Sequence, residues 1–298
     1  MAAIVLNGVP VLVAEKARLV ERIAALATRG ITPGLGTLLV GDDPASAKYV
    51  AMKLKNCAEL GIASHHEHLP ADATQAQVEA VVDRWNADPA IDAYLMQHPF
   101  PMHLDFEAAL LRVDPAKDVD GLHPLNLGRL VQGVPGPRPC TPAGIQALLA
   151  HYGVPVAGAH VVIVGRGLTV GKALANLLSL KEEGANAAVT LLHTGVADIR
   201  PYVASADVLV AAAGAPGIIS GDMVKPGAAV VQTGTTIRDG TYLPDVDDDV
   251  AEVAGWFAPV TGSVGPMTRA MLLRNCVAAA ERSAAVRTDG SVVAPPAP

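Results

Sequence analysis

The run Val161-Val162-Ile163-Val164 leads without a break into Gly165-Arg166-Gly167-Leu168-Thr169-Val170-Gly171. Four successive β-branched residues read as a short strand covered on both faces. The glycines that follow let the backbone turn tightly and open a helix. Such a turn brings backbone N–H groups to a pyrophosphate seated on the helix N-terminus. Strand, glycine turn and helix in that order commit this stretch to an α/β unit. The spacing, G-x-G-x-x-x-G, is one residue longer than the usual dinucleotide fingerprint. By itself it leaves two readings open, a phosphate seat or a glycine turn with no ligand.

The same alternation extends along the chain. The period of apolar residues predicts helices over 13–29, 45–60, 74–86, 105–113, about 169–183 and 267–282. It predicts strands over 36–40, 64–69, 92–96, 160–164, 187–192, 206–212 and 227–231. Strands and helices of these lengths in alternation mean parallel sheets with crossover helices. A Pro/Gly-rich stretch over 133–142 breaks the pattern and reads as a linker between two α/β units. The Pro-rich tail over 288–298 has no periodicity and is expected to be disordered.

Composition and charge narrow the function. The chain has 298 residues, of which 51% are hydrophobic and 3% aromatic. Its cores are therefore built from Ala, Val, Leu and Ile, and it lacks the aromatics of a stacking single-strand binder. A net charge of −7 gives no pull toward nucleic acid or an anionic membrane. Apolar runs of about ten residues fall short of a membrane span of about 20. The N-terminus has no basic region ahead of its apolar residues, so no signal peptide is expected. Cys57, Cys140 and Cys276 are odd in number and far apart, which fits a reducing cytoplasm rather than a disulfide scaffold or zinc site.

Two places carry candidate chemistry. On the helix 45–60, Val50, Leu54, Cys57 and Ala58 share one face, with Lys48 and Lys55 opposite. Lys53 falls at the edge of that stripe, with Tyr49 one turn earlier on the same side. Desolvation there lowers a lysine's pKa toward what a general base needs. The competing reading is a lysine stem lying along the core edge beside a packed tyrosine. Gln97-His98-Pro99-Phe100-Pro101 follows a strand, and Lys117-Asp118-Val119-Asp120-Gly121 is an acidic turn. Ligands in α/β sheets bind beyond the carboxyl ends of strands, where Lys53, Gln97 and Asp120 could converge. At the glycine turn, Arg166 supplies a cation, and the next strand ends in Leu192-His193-Thr194 with no acid for a ribose hydroxyl. That pattern prefers NADP over NAD. His65-His66-Glu67-His68 resembles a metal cluster, but successive strand residues point to opposite faces, and a polar exposed strand is expected.

Taken together, these motifs resemble the bifunctional methylenetetrahydrofolate dehydrogenase/methenyltetrahydrofolate cyclohydrolase family over about residues 4–284. The resemblance rests on Val40-Gly41-Asp42-Asp43-Pro44-Ala45-Ser46 and on Tyr49-Val50-x-x-Lys53-x-Lys55. It extends through Gln97-x-Pro99-x-Pro101, Lys117-Asp118-Val119-Asp120-Gly121 and Pro139-Cys140-Thr141-Pro142-x-Gly144. The glycine turn and Val264-Gly265-Pro266-Met267-Thr268 complete it.

The resemblance implies two α/β domains with a cleft between them, the second a Rossmann-like NADP-binding domain. Residues 1–140 would form the catalytic, folate-binding domain, joined by a closing helix at about 265–284, and 141–264 the NADP domain. It implies Lys53 as the catalytic lysine, Tyr49 as its partner, Gln97 as the residue that tunes it, and Asp120 as the acid that holds the pterin ring. Cofactor contacts are implied for Gly165, Arg166, Gly167, Thr169, Val170, Gly171, His193, Thr194 and Thr235, with Arg166 and Thr194 on the 2′-phosphate. Substrate contacts are implied for Tyr49, Pro99, Phe100, Asp120, Gly262, Ser263, Val264, Gly265 and Pro266. The substrates would be tetrahydrofolate derivatives and the assembly a homodimer.

The chain departs from the usual pattern at four places. His98 and Phe100 replace leucines, and Thr261-Gly262-Ser263 stands for Pro-Gly-Gly. Val231-Gln232-Thr233-Gly234-Thr235 stands for Ile-Asp-Val-Gly-Ile, and Leu243-Pro244-Asp245-Val246 for Val-Gly-Asp-Val. Two alternatives therefore stay open beside the bifunctional enzyme. One is a specialised paralogue with weak or altered cyclohydrolase activity, and the other is a non-catalytic NADP- or folate-binding protein.

Overall fold

The structure, a computed structural model, describes residues 2–238 and 241–288; the tail over 289–298 and the side chain of Thr235 lie outside what is described. In chain order the elements are β1 (Ile4–Val5), α1 (Gly8–Ala27), β2 (Gly34–Val40), α2 (Pro44–Leu60), β3 (Ala63–Leu69), α3 (Gln75–Ala87), β4 (Ala93–Met96), α4 (Phe106–Arg112), α5 (Pro124–Gln132) and α6 (Cys140–His151). They continue with β5 (His160–Val164), α7 (Ala173–Ser179), β6 (Ala188–Leu192), α8 (Arg200–Val203), β7 (Val208–Ala211), β8 (Ala229–Gln232), β9 (Thr235–Arg238), β10 (Thr241–Pro244), α9 (Val250–Val253), β11 (Trp256–Ala258) and α10 (Val264–Thr288).

The chain forms two compact units. Glu15–Asn126 with Leu272–Pro298 holds a three-stranded parallel sheet in the order β3-β2-β4. Every residue of β2 and β4 is buried, as their apolar runs, broken only by Thr37, require. Val78, Val82 and Trp85 of α3 cover them in one core cluster. On β3 burial alternates residue by residue, His66 donates to the carbonyl of Thr37, and Glu67 pairs with Arg84.

Met1–Ala14 with Leu127–Met271 holds a six-stranded parallel sheet in the order β1-β11-β8-β7-β5-β6. From β5 the chain goes to β6 on one side, then crosses to β7, β8 and β11 on the other. The strand order thus reverses between β5 and β7, which opens a crevice at their carboxyl ends. An antiparallel hairpin, β9–β10, follows β8.

Local chemistry sets the element ends. The Asp43 carboxylate accepts from Ser46 N and Pro44 fills the first helical position of α2. Gly61, at φ 71°, closes α2 with its N–H and that of Ile62 on the last carbonyls. α1 starts at Gly8 rather than 13, because Pro10 lies in its first turn, where a missing N–H costs nothing. The single helix predicted over 169–183 is instead a π turn, Leu168–Lys172, followed by α7. Lys172 N donates to Gly167 O at 3.1 Å, a five-residue reach that absorbs the extra residue of the glycine motif. The predicted linker over 133–142 ends where α6 begins at Cys140. The spacing does not reveal α6, because Pro142 and Gly144 read as breakers. Pro142 sits in the first turn, and a Cβ on Gly144 would stand 2.9 Å from Met267 Cβ.

Candidate active site

In the smaller unit, the carboxyl end of β4 leads into Gln97, whose N–H donates to Leu38 O. Lys53 Nζ donates to Gln97 Oε1 at 3.0 Å. Gln97 Nε2 donates to His98 O at 2.8 Å, which fixes the carboxamide with its oxygen toward the lysine. The buried stripe of α2 is rotated from the expected one. It runs through Val50, Lys53, Asn56, Cys57 and Leu60, while Leu54 is half-buried and Ala58 exposed. A stripe drawn through apolar residues alone leaves Lys53 at its edge, but the side chain lies within the stripe and is 8% exposed. Tyr49, one turn before, is 43% exposed. Burial pushes the Cys57 thiol up to about 11, so it stays protonated beside Lys53 and supplies no competing thiolate.

Asp120 stands half-buried on a loop held from several sides. Tyr94 N donates to Lys117 O, Val119 N to Tyr94 O, and Asn275 Nδ2 to Val119 O. The buried Asp118 carboxylate accepts from Gly121 N at 3.0 Å, His123 N at 2.8 Å and Asn126 Nδ2 at 2.9 Å. Asp118 and Asn126 are thus the residues that shape this loop, and the sequence reading gave neither a role. The signal was present in the first Asp of Asp-Val-Asp-Gly, placed to take N–H groups of the turn that follows.

The two leucine replacements form an aromatic group on this unit. Phe100 packs against the core cluster and meets Phe106 edge-on at 5.1 Å, and His98 meets the same ring at 5.2 Å. The His98–Pro99 bond is cis. In the larger unit, Gly262 has φ 85° and its carbonyl accepts from Gly8 N. Ser263 is fully buried, and its hydroxyl donates to Pro259 O, which explains how a serine is accommodated there. Val264, Gly265 and Pro266 open α10, and the Thr268 and Thr141 hydroxyls meet at 3.1 Å.

A second candidate site lies in the larger unit at the carboxyl ends of β5, β6 and β7. A cavity of about 640 Å³ is lined by Gly165, Arg166, Gly167, His193, Thr194, Ala213 and their neighbours. The glycine turn could hold nothing bulkier at two positions. A Cβ on Gly165 would stand 2.1 Å from Ala212 O, and one on Gly171 would stand 1.9 Å from Gly165 O. Gly167 has open space beside its Cα, where a phosphate can approach the backbone. Arg166 and Thr194 are exposed in the cavity wall. His193 Nδ1 accepts from Gly195 N at 3.1 Å. Thr169 and Val170 lie in the π turn, and Thr235 begins β9. An acid, Asp198, does line the cavity, four residues beyond Thr194, but its carboxylate accepts from Arg200 N at the start of α8. These features fit a phosphorylated dinucleotide.

Sheet order, crevice and glycine turn define a dinucleotide-binding α/β protein, with a second α/β unit that buries a lysine on a glutamine. The family model described as "Tetrahydrofolate dehydrogenase/cyclohydrolase, catalytic domain" matches residues 6–120, and "Tetrahydrofolate dehydrogenase/cyclohydrolase, NAD(P)-binding domain" matches 139–284. The chain is 51% identical to the bifunctional protein FolD of Syntrophotalea carbinolica over 284 residues, 95% of this chain and 98% of the relative. It is 50% identical to the bifunctional protein FolD 1 of Salinispora tropica, over 95% and 92% of the two chains. The crystal structure of the Campylobacter jejuni bifunctional enzyme FolD superposes with a TM-score of 0.89 at 37% identity, covering 94% of this chain and 99% of that one. The Trypanosoma brucei enzyme, complexed with NADP cofactor and inhibitor, gives 0.88 at 36% identity over 95% and 99%. The chain belongs to the tetrahydrofolate dehydrogenase/cyclohydrolase family.

Proposed function

We propose that the protein is an NADP-dependent bifunctional enzyme of one-carbon metabolism. It oxidises 5,10-methylenetetrahydrofolate to the methenyl form and hydrolyses that to 10-formyltetrahydrofolate. The Lys53–Gln97 hydrogen bond at 3.0 Å, with the lysine only 8% exposed, carries this reading. When bound, NADP supplies the hydride acceptor. Lys53 holds or moves a proton at Nζ as water adds to the methenyl carbon and the ring opens. Gln97 keeps Nζ in place through Oε1, and its own orientation is fixed through His98 O. Tyr49 and Asp120 face the folate, Asp120 binding the pterin ring, with Pro99, Phe100 and the 262–266 segment as further substrate contacts. Gly165, Gly167, Gly171, Thr169, Val170, His193 and Thr235 seat the cofactor, and Arg166 with Thr194 takes the 2′-phosphate.

In domain terms, the folate chemistry belongs to residues 1–140 with the helix at about 265–284, and cofactor binding to 141–264. A homodimer is supported by β6, an edge strand paired only with β5 among the described residues. A reducing, cytoplasmic setting is supported by three buried free cysteines. Among the described residues no helix is long and apolar enough to cross a membrane. The test is Lys53→Met, assayed for both half-reactions. Methenyltetrahydrofolate hydrolysis should fall by about 10²–10⁴, the usual worth of a positioned acid–base group. An unchanged hydrolysis rate refutes the assignment of Lys53.

A further inference from the structure

The Asp245 carboxylate is fully buried. Its Oδ2 accepts from Ala213 N at 2.7 Å and Gly214 N at 3.0 Å, and its Oδ1 accepts from Ala215 N at 2.8 Å. Three successive N–H groups aimed at one point form a concavity of the kind that binds phosphates. This one lies on the loop after β7, and Ala213 and Ala215 line the cofactor cavity. The protein thus fills a second anion seat beside the glycine turn with its own carboxylate.

Neighbouring hydrogen bonds tie the β9–β10 hairpin to that wall. Gly217 N donates to Pro244 O, Ile219 N to Asp245 O, and the Thr236 hydroxyl to Gly214 O at 2.9 Å. Gly234 is confined by the carboxylate, since a Cβ there would stand 1.8 Å from Oδ2.

We infer that Asp245 is a positioning residue for the cofactor, acting through the 213–215 loop. By consuming these N–H groups it fixes the β7 side of the cavity and leaves the Gly165–Gly171 turn as the place for the pyrophosphate. The inference rests on reading the cavity as the NADP site.

The experiment uses the full chain and measures NADP dissociation by calorimetric titration, hydrogen exchange of the 213–215 amides, and KM for each substrate. Asp245→Asn keeps the size but turns an amide donor toward backbone donors. It should speed exchange at 213–215 and weaken NADP about tenfold or more, as expected for losing hydrogen bonds to a charged acceptor. KM for methylenetetrahydrofolate should stay within about twofold, a split that general loosening of the fold does not produce. Thr236→Val, which removes one contact to the loop, should weaken NADP in the same direction by about two- to fivefold, the worth of a single neutral hydrogen bond. It covers the case in which Asp245→Asn fails to fold. Unchanged NADP affinity in the folded variants overturns the role of Asp245, as does equal weakening of cofactor and folate. Arg166→Gln separates the two readings. If it weakens NADP while the Asp245 and Thr236 variants do not, the cavity stands and Asp245 is only structural. If none of them changes NADP binding, the cavity reading falls and this inference with it.

Discussion

Gln97 holds Lys53 with a neutral oxygen, and the neutrality matters as much as the contact. A carboxylate in its place would favour the protonated amine, since an opposite charge within about 4–6 Å stabilises the charged form. Gln97→Glu should therefore move the pH profile of methenyltetrahydrofolate hydrolysis to higher pH and cut the rate at neutral pH by at least about tenfold. An unshifted profile would mean that Gln97 does not tune the lysine. Helical register and a strand end made Lys53 and Gln97 candidates, but only the family resemblance implied that they pair. Asp118 left a local signal in its turn, but Asn126 and Asp245 did not, because Asn126 donates to Pro115 O and the Asp118 carboxylate 8 to 11 positions earlier and Asp245 accepts from distant backbone N–H groups. Asp245 takes the N–H groups of residues 30 to 32 positions earlier, and no local pattern encodes that. Phe100 read as a pocket residue among few aromatics; its half-buried ring packs on one side against Phe106 and the core cluster.

At the scale of elements, the central strands were the most legible part, because β2, β4, β7 and β8 are buried throughout and read as apolar runs broken only by Thr37 and Gln232. Helices that begin with proline or contain glycine, α5 and α6, were hidden by residues whose tolerance depends on position and on neighbours. The strand-to-helix glycine turn was legible, but its π geometry was not. Its sharpest consequence is at Gly171. Gly171→Ala forces a Cβ to within 1.9 Å of Gly165 O, so the turn must open. NADP-dependent oxidation should fall by about 10² or more, because a misplacement of about 1 Å can cost that much. Hydrolysis of supplied methenyltetrahydrofolate should persist, since Lys53 and Gln97 lie in the other unit. Parallel loss of both rates would contradict that separation. The α2 cap makes a second prediction. The backbone and hydroxyl of Ser46 hold the Asp43 carboxyl below its ordinary range. A depressed folded pKa gives stability that is present above the unfolded value of about 3.9 and lost as pH falls through the folded one. Asp43→Ala should cost about 1 kcal/mol at neutral pH. Denaturant titrations at descending pH should show that cost shrinking in acid; a cost independent of pH would remove the charge from the explanation.

For the whole molecule, the scarcity of aromatics and the net charge of −7 bounded what the chain could bind, and the alternation of strands and helices gave two parallel sheets. What the sequence could not give was how the chain is shared between units. It passes from one to the other after Ala14, Asn126 and Met271. The first and last of these crossings lie inside α1 and α10, which run through without interruption. A helix propagates cooperatively along its length, so melting one end weakens the other. Ligand bound only to the larger unit should therefore protect the smaller one. At about 100 times its dissociation constant, NADP should add about 2.7 kcal/mol to the stability of the state that binds it. If the units unfold together, calorimetry should show one endotherm moving upward as a whole with NADP. Exchange of the buried β2 amides, which belong to the smaller unit, should slow in the same titration, because their opening would then require global unfolding. Two endotherms of which only one moves, with β2 exchange unaffected, would show that α1 and α10 do not couple the units.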